Sequence, residues 1–195
     1  MIDLTIVIPT RGRDTLPRCL ESMRPEHHGG YRAEVLVVAD TNSPLLMDVR
    51  AAALAIGADY LEHDAGTHNW GYPQLQCGYE RANGHYILNI GDDDVYEPGA
   101  FETIRAVAEE VGEFEPLLFR AEMHHSPTRQ IGGKLILWRD RGNLERGAVT
   151  GQNLATPNVR GKLGFWWDDF CHMETVVSAW GGRLHWREEL IARCY

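Results

Sequence analysis

Four short strand-like runs alternate with helical patterns over about the first hundred residues, and this alternation constrains the fold more than any other feature. The runs are Leu4–Ile8, Glu34–Ala39, Ala58–Glu62 and His85–Ile90. From Val35 to Ala39 the second run is apolar throughout, which is typical of a strand buried on both faces of a parallel sheet. Strands joined through helices imply right-handed crossovers and a mostly parallel sheet. The pattern therefore predicts an α/β fold.

Helix signals lie between and after these runs. Ser43 followed by Pro44 is the pattern of a cap with proline at the first helical position. Further helices are expected from about Pro73 to Ala82, from about Pro98 to Val111, and from Asp168-Asp169 to about Trp180. Two more strands are expected at 117–123 and 134–138, and the stretch from Gly147 to Gly164 is expected to be a long loop. No repeat or linker divides the 195 residues, so we expect one domain, with a first half of about 1–97 and a second of about 98–195.

Polar loops follow three of the predicted parallel strands. They are Thr10–Arg13, Asp40–Asn42 and Asp92–Asp94. Ligands of open α/β sheets bind beyond the carboxyl ends of the strands, where such loops meet. The sequence therefore predicts a ligand site at this edge of the sheet.

Charge and cysteine usage narrow the class of protein. The formal net charge of −9 argues against non-specific binding to nucleic acid. The segment from Arg129 to Lys162 is an exception, with seven basic residues against two acidic ones.

The four cysteines are far apart and form no C-x-x-C pair, which favours reduced thiols in a cytoplasmic protein. The amino terminus has no basic region or cleavage site of a signal peptide, and no apolar stretch is long enough to span a bilayer.

The acidic run Asp92-Asp93-Asp94 points to a metal. Three consecutive carboxylates repel one another unless a cation lies between them, and Mg²⁺ and Mn²⁺ favour carboxylate oxygens. An EF-hand loop does not fit, because its sixth position would be Glu97 rather than glycine. A solvated turn that caps the next helix is the alternative.

Four motifs occur in an order and spacing that resemble glycosyltransferase family 2 and its GT-A relatives. They are Val7–Arg13, Val37–Asp40, Ala82–Ile87 and Gly91–Asp94. The similarity covers roughly residues 3 to 97 well and the remainder weakly. It implies a GT-A (Rossmann-like) single domain with a mostly parallel central sheet and a small mixed C-terminal extension. It also implies a metal-dependent enzyme that uses Mn²⁺ or Mg²⁺ and moves a sugar from a nucleoside-diphosphate sugar, most often UDP-linked.

The resemblance assigns roles residue by residue. It places Pro9, Thr10 and Arg11 beside the nucleoside, with Arg13 in the same donor-binding loop, and Asp40 on the base. Asp92 and Asp94 match the DXD pair that holds the metal, with Asp92 and Asp93 also near the donor nucleotide. Asp168-Asp169 matches an acidic pair whose aspartate takes the acceptor's proton, and Asp169 aligns best with that base. The same pair also fits plain helix capping.

Two histidines are candidates for the same site. His68 lies in the loop before the helix that leads to the acidic strand, where it would approach the donor. His185 is a candidate third metal ligand, as a late histidine is in some GT-A enzymes, or else a surface strand residue.

The chain departs from the family pattern at three places. Ala39-Asp40-Thr41-Asn42 stands where the family often has Asp-Asp-Gly-Ser, and Gln74-Leu75-Gln76 where it often has Ala-Arg-Asn. Gly91 stands at the usual first aspartate, which leaves a one-residue shift of the acidic register open. The missing arginine favours the alternative of a domain that binds nucleotide sugar without transferring it. The sequence does not distinguish between a glycan, a lipid, a protein and a polyanion such as modified DNA as the acceptor. It does not indicate the oligomeric state either.

Overall fold

A computed structural model of the chain describes residues 3–66, 71–112, 114–124, 135–136, 144, 149–159 and 169–195. Nine strands lie in these ranges: β1 Leu4–Thr10, β2 Ala33–Asp40, β3 Asp59–His63, β4 Tyr86–Asn89, β5 Val95–Tyr96, β6 Leu117–Met123, β7 Leu135–Ile136, β8 Leu154–Pro157 and β9 His185–Cys194. The α-helices are α1 Leu16–Glu21, α2 Leu46–Ala55, α3 Tyr72–Arg81, α4 Ala100–Val111 and α5 Asp169–Ala179, and 3-10 helices cover Pro25–His27 and Gly151–Asn153.

The first half of the sheet is parallel, in the order β3-β2-β1-β4. Alternate side chains of β1 point to opposite faces of the sheet, and both faces are covered by helices, so the strand is buried on both sides. Ile6 and Ile8 join the larger core cluster with α1, α2 and α4, whereas Val7 packs with Leu75 and Tyr79 of α3. The predicted α/β architecture is confirmed.

The second half of the sheet is mixed. Strand β8 is antiparallel to both β4 and β6, β9 is parallel to β6, and β5 is antiparallel to β9. The loop prediction for Gly147–Gly164 is wrong in its middle, where a 3-10 helix and β8 form. The polar residues of Gly151–Asn153 and the four-residue length of β8 hide the strand from a pattern search, although all four of its residues are buried. Of the strand expected at 134–138, the described part is β7.

Helix α2 begins later than the Ser43-Pro44 signal predicts, at Leu46. The Ser43 hydroxyl donates to the carbonyl of Arg11 at 2.7 Å and accepts from the amide of Leu45 at 3.1 Å. Because these bonds join the loops after β1 and β2, Ser43 fixes their relative position rather than capping the first turn.

Chain topology brings the predicted polar loops together at the carboxyl ends of the parallel strands. The Thr10 hydroxyl reaches Asp92, and Arg11 reaches Asp40. In the part of the chain that the structure describes, no helix is long and apolar enough to cross a membrane.

Candidate active site

A pocket of about 550 Å³ opens at this edge of the sheet. Its walls come from the ends of β1 and β4, the start of α3, the 3-10 helix at Gly151–Asn153 and the first residue of α5. Asp92, Asp93, Gln74 and Asp169 supply polar side chains to it. The pocket therefore joins segments from both halves of the sequence.

Asp92 is buried against the end of β1. Its Oδ2 accepts a 2.6 Å hydrogen bond from the Thr10 hydroxyl, and its Oδ1 lies 3.4 Å from Nη1 of Arg13. The same Thr10 oxygen accepts from the amide of Gly12 at 2.9 Å. Burial raises the pKa of Asp92 above its ordinary value despite these contacts, with the neighbouring Asp93 charge adding to the rise.

Asp93 is more exposed than Asp92. Its carboxylate pairs with Arg13, and its main-chain carbonyl accepts from Nη2 of Arg18 at 2.7 Å. One guanidinium thus contacts both Asp92 and Asp93 at the pocket wall.

Asp94 points away from that wall and is absent from the described lining of the pocket. Its Oδ1 accepts from the amide of Tyr195 at 2.9 Å, and its Oδ2 accepts from Nε2 of Gln152 at 2.8 Å. Burial raises the pKa of Asp94 to about 7; the bonds from Tyr195 and Gln152 oppose that rise, and the Asp93 and Asp92 charges add to it. Burial is therefore the main cause of the raised pKa of Asp94.

Gly91 marks where two of the three carboxylates come close. A β-carbon added there would lie 2.8 Å from Oδ1 of Asp93 and 3.0 Å from Oδ2 of Asp94. An aspartate at this position, usual in the family, would be crowded by both oxygens. Oxygen donors near one point suit a hard cation, and magnesium sites commonly use one or two carboxylates plus ligand phosphates. Among the described residues, no group of three or more His, Cys, Asp or Glu side chains is placed to hold a metal ion.

Asp40 is fully buried behind the pocket wall. Its Oδ2 lies 2.9 Å from Nε of Arg11, and its Oδ1 accepts from the amides of Asn42 and Ala65 at 3.0 and 3.4 Å. Burial raises the pKa of Asp40, but the Asn42 and Ala65 bonds and the Arg11 charge together hold it below its ordinary value. Arg11 and Ala65, rather than Asp40, line the pocket in the described part of the chain.

Gln74 also lines the pocket, a role that the comparison of motifs does not predict. It is 1% exposed and its Nε2 donates to the carbonyls of Thr10 and Val38 at 3.1 and 3.4 Å. The available signal was its position four residues before Gly78, on the buried face of α3.

Asp169 begins α5 and lines the pocket. A β-carbon added at Gly151 would lie 3.0 Å from Oδ1 of Asp169 and 2.4 Å from Nδ2 of Asn89, so only glycine lets the 3-10 helix approach both. The structure therefore brings Asp169 to the same pocket as Asp92 and Asp93. The other two candidates of this region, Asp168 and His68, lie outside the described residues.

His185 is not brought to the acidic cluster. It is the first residue of β9 and lies 3.7 Å from Glu115, whereas Asp94 is bonded to Tyr195, just past the other end of that strand. Ten residues of strand separate the two ends by roughly 30 Å. The metal-ligand expectation for His185 therefore has no geometric support, because β9 carries this residue to the opposite edge of the sheet.

A neutral polar layer underlies the pocket. The Tyr79 hydroxyl donates to Oδ1 of Asn89 at 3.1 Å, and His172 lies with Nε2 3.3 Å from the Thr156 hydroxyl. The rings of Tyr79 and His172 meet edge to face at 5.6 Å. Burial lowers the pKa of His172 to about 3, so the imidazole is neutral. These contacts tie α5, and thus Asp169, to α3 and β4.

The family model for glycosyl transferase family 2 matches residues 5–113, more than half of the chain. No curated protein sequence matches the chain. Among solved structures, S. aureus TarS superposes with a TM-score of 0.70 at 12% identity, over 98% of this chain and 36% of that one. TarS 1–349 in complex with UDP-GlcNAc gives 0.68 at 13%, and its complex with UDP gives 0.69 at 11%. Each of these covers 98% of this chain, but only 58% and 60% of the TarS chain. The chain thus spans less than two thirds of these structures, and at such low identity the likeness establishes the fold. The chain belongs to glycosyl transferase family 2 and has the GT-A fold.

Proposed function

We propose that the protein transfers a sugar from a UDP-linked donor to an acceptor hydroxyl, assisted by Mn²⁺ or Mg²⁺. The observation that carries the proposal is the meeting of Asp92, Asp93 and Asp169 in one pocket. Family membership and the likeness to TarS structures described as complexes with UDP and UDP-GlcNAc support it.

The metal would be held by the carboxylates of Asp92 and Asp93, which line the pocket, together with phosphate oxygens of the donor. A divalent ion there supplies charge neutralisation to the leaving diphosphate. Burial raises the pKa of Asp92 and of Asp94, and the charge of Asp93 adds to each rise, so a bound cation would stabilise both ionised carboxylates. Arg13 contacts the carboxylates of Asp92 and Asp93, and its guanidinium would add positive charge beside the phosphates of the donor.

Asp169 would act as the general base. The acceptor oxygen forms a bond to the anomeric carbon, the bond from that carbon to the diphosphate oxygen breaks, and the acceptor proton goes to the Asp169 carboxylate. A direct displacement of this kind inverts the anomeric configuration. The polar layer of Asn89, Tyr79, Thr156 and His172 holds α5 against the pocket floor and so limits the movement of the base.

The test is a calorimetric titration with UDP, with and without Mn²⁺, followed by turnover with UDP-sugars. Metal-dependent binding of UDP and release of UDP during turnover would support the proposal. Binding without transfer or donor hydrolysis would favour a non-catalytic nucleotide-sugar-binding domain instead. If chelation of metal left both binding and turnover unchanged, Arg13 rather than a metal would neutralise the diphosphate.

The acceptor is proposed only by class. All seven basic residues of the segment Arg129–Lys162 lie outside the described residues, and their positive charge favours a polyanionic acceptor. A glycan, lipid or protein hydroxyl is the alternative.

A further inference from the structure

Helix α1 holds the main chain of the acidic loop, residues 91–94, from outside the pocket. Two consecutive residues of α1 make the contacts. Nη2 of Arg18 donates to the carbonyl of Asp93 at 2.7 Å, and the thiol of Cys19 donates to the carbonyl of Gly91 at 3.5 Å. In the described part of the chain neither side chain lines the pocket. Their contacts therefore bear on where the loop stands and not on the ligand directly.

One peptide unit of this loop separates two carboxylates that point in different directions. The carbonyl of Asp93 and the amide of Asp94 belong to the same planar peptide. Its carbonyl accepts from Arg18, and its N–H donates to the carbonyl of Gly91 at 3.1 Å. A peptide held at both ends resists rotation about the bonds that flank it. These two hydrogen bonds therefore keep the Asp93 carboxylate at the pocket and the Asp94 carboxylate away from it.

An aromatic contact restrains the Arg18 side chain. A long exposed side chain has many rotamers and loses entropy when it is fixed in one of them. Cζ of Arg18 lies 4.0 Å from the centroid of the Tyr195 ring, which is the geometry of a cation–π contact. The Tyr195 ring is itself stacked with the His124 imidazole, with centroids 4.7 Å apart and planes 14° from parallel. Tyr195 therefore selects the rotamer in which Arg18 reaches the acidic loop.

We propose that Arg18, held against the ring of Tyr195, is a positioning residue for the metal, because it fixes the peptide that directs the Asp93 carboxylate into the pocket. This proposal rests on the proposed function, which places a divalent ion at Asp92 and Asp93. Arg18 touches neither the nucleotide nor the ion in this role. Its positive charge repels a nearby cation, so its charge and its positioning role act on metal affinity with opposite signs.

The first experiment uses that difference in sign. Mn²⁺ is titrated into protein held in excess over UDP, and the free ion is followed by electron paramagnetic resonance. Arg18→Met should bind Mn²⁺ about 5- to 20-fold more weakly than the unaltered protein, although loss of the charge alone would make binding tighter. Arg24→Met is the matched control, because Arg24 follows the same helix and pairs with Glu21; it should bind Mn²⁺ as the unaltered protein does.

The possible results separate two failures. Equal or tighter Mn²⁺ binding by Arg18→Met would overturn the positioning role. Absence of Mn²⁺-dependent UDP binding in the unaltered protein would instead overturn the proposed function, and the positioning role with it. Because Arg18 is exposed, the variant should keep its fold, and circular dichroism checks this.

The second experiment tests the part played by the Tyr195 ring. Tyr195→Leu removes the ring but keeps the main-chain N–H that Asp94 accepts, and it should weaken Mn²⁺ binding about threefold or more. Tyr195→Phe keeps the ring face and should stay within about twofold of the unaltered protein. The double variant Arg18→Met/Tyr195→Leu should bind Mn²⁺ no more weakly than Arg18→Met alone, because both changes remove the same contact. Losses that multiplied in the double variant would overturn the action of Tyr195 through Arg18.

Discussion

The hydroxyl of Thr10 donates a 2.6 Å hydrogen bond to Oδ2 of Asp92, although the two residues are 82 positions apart. Thr10 ends β1 and Asp92 follows β4, and these strands are parallel neighbours. Because Asp92 carries a raised pKa, a donated hydrogen bond to its charged form is one of the few stabilising contacts it has. The bond sets where the acidic loop stands relative to the loop after β1.

Thr10→Val should therefore weaken UDP binding in the presence of Mn²⁺ by about 5- to 10-fold, because Asp92 loses a buried donor while the shape of the side chain is kept. Thr10→Ser retains the hydroxyl and is the matched control, with affinity within about twofold of the unaltered protein. Calorimetry on the three proteins measures the effect. If Thr10→Val bound UDP as tightly as Thr10→Ser, the bond would not matter to the donor site.

Asp93 and Asp94 should differ in their importance for the metal. Asp93→Asn is expected to weaken Mn²⁺-dependent UDP binding at least about tenfold, since this carboxylate faces the pocket. Asp94→Asn should weaken it less, because the Asp94 carboxylate is engaged by Gln152 and Tyr195. Titrations with and without Mn²⁺ measure both. An equal or larger loss in Asp94→Asn would favour the prediction from the sequence that Asp92 and Asp94 form the pair that holds the metal.

Asp169→Asn tests the general base. The variant should lower kcat for transfer by about 10²- to 10⁴-fold, because an amide cannot take the acceptor's proton. Its affinity for UDP should stay within about twofold, since the proposed role is toward the acceptor. Glu174→Gln, an exposed position on the same helix, controls for the loss of a carboxylate from α5. Unchanged turnover in Asp169→Asn would assign proton removal to another group.

Charge reversal of Arg139 and Arg141 tests the class of acceptor. If the basic segment guides a polyanion, the double variant should raise the acceptor KM several-fold, with donor affinity unchanged, and more strongly at low salt. Arg81→Glu, an exposed cation outside the segment, is the control. An unchanged acceptor KM would exclude this segment from acceptor binding.

The first half of the fold was predictable because its strands are short β-rich runs with helices between them, and that alternation is carried locally by the sequence. The antiparallel β8 was not predictable in this way, because four residues have too little pattern and their burial depends on β4 and β6. In the site, the convergence of Thr10, Arg11 and the aspartates follows from parallel topology. The separation of His185 from these residues could not be predicted, because this separation depends on the direction in which β9 runs beside β6.

Gln74 and His172 show the same limit at the level of single residues. Each is a polar residue on an otherwise buried helix face, and the sequence alone leaves its partners unidentified. Nε2 of Gln74 donates to the carbonyls of Thr10 and Val38. His172 contacts the Thr156 hydroxyl and the ring of Tyr79. Partners contributed by distant strands decide the role of such residues.

The buried His172 should make the protein sensitive to acid. Its pKa is about 3 in the folded protein against an ordinary value of 6.5, so the unfolded chain takes up a proton below pH 6.5 that the folded chain does not. The stability contributed by the neutral imidazole is thus fully present above pH 6.5 and is lost as the pH falls toward 3. Linkage gives a loss of about 1.4 kcal/mol per pH unit in this window.

His172→Gln has no such proton to bind, so its free energy of unfolding should fall less steeply between pH 6 and pH 5, by about 1 kcal/mol per unit. Urea denaturation at several pH values measures the slope, and the slope is informative even if the variant is less stable at every pH. His27→Gln, at an exposed position, controls for the loss of a histidine and should keep the slope of the unaltered protein. Parallel pH profiles for the unaltered protein and His172→Gln would mean that the imidazole titrates alike in the folded and unfolded chains. The layer beneath Asp169 would then be open to water.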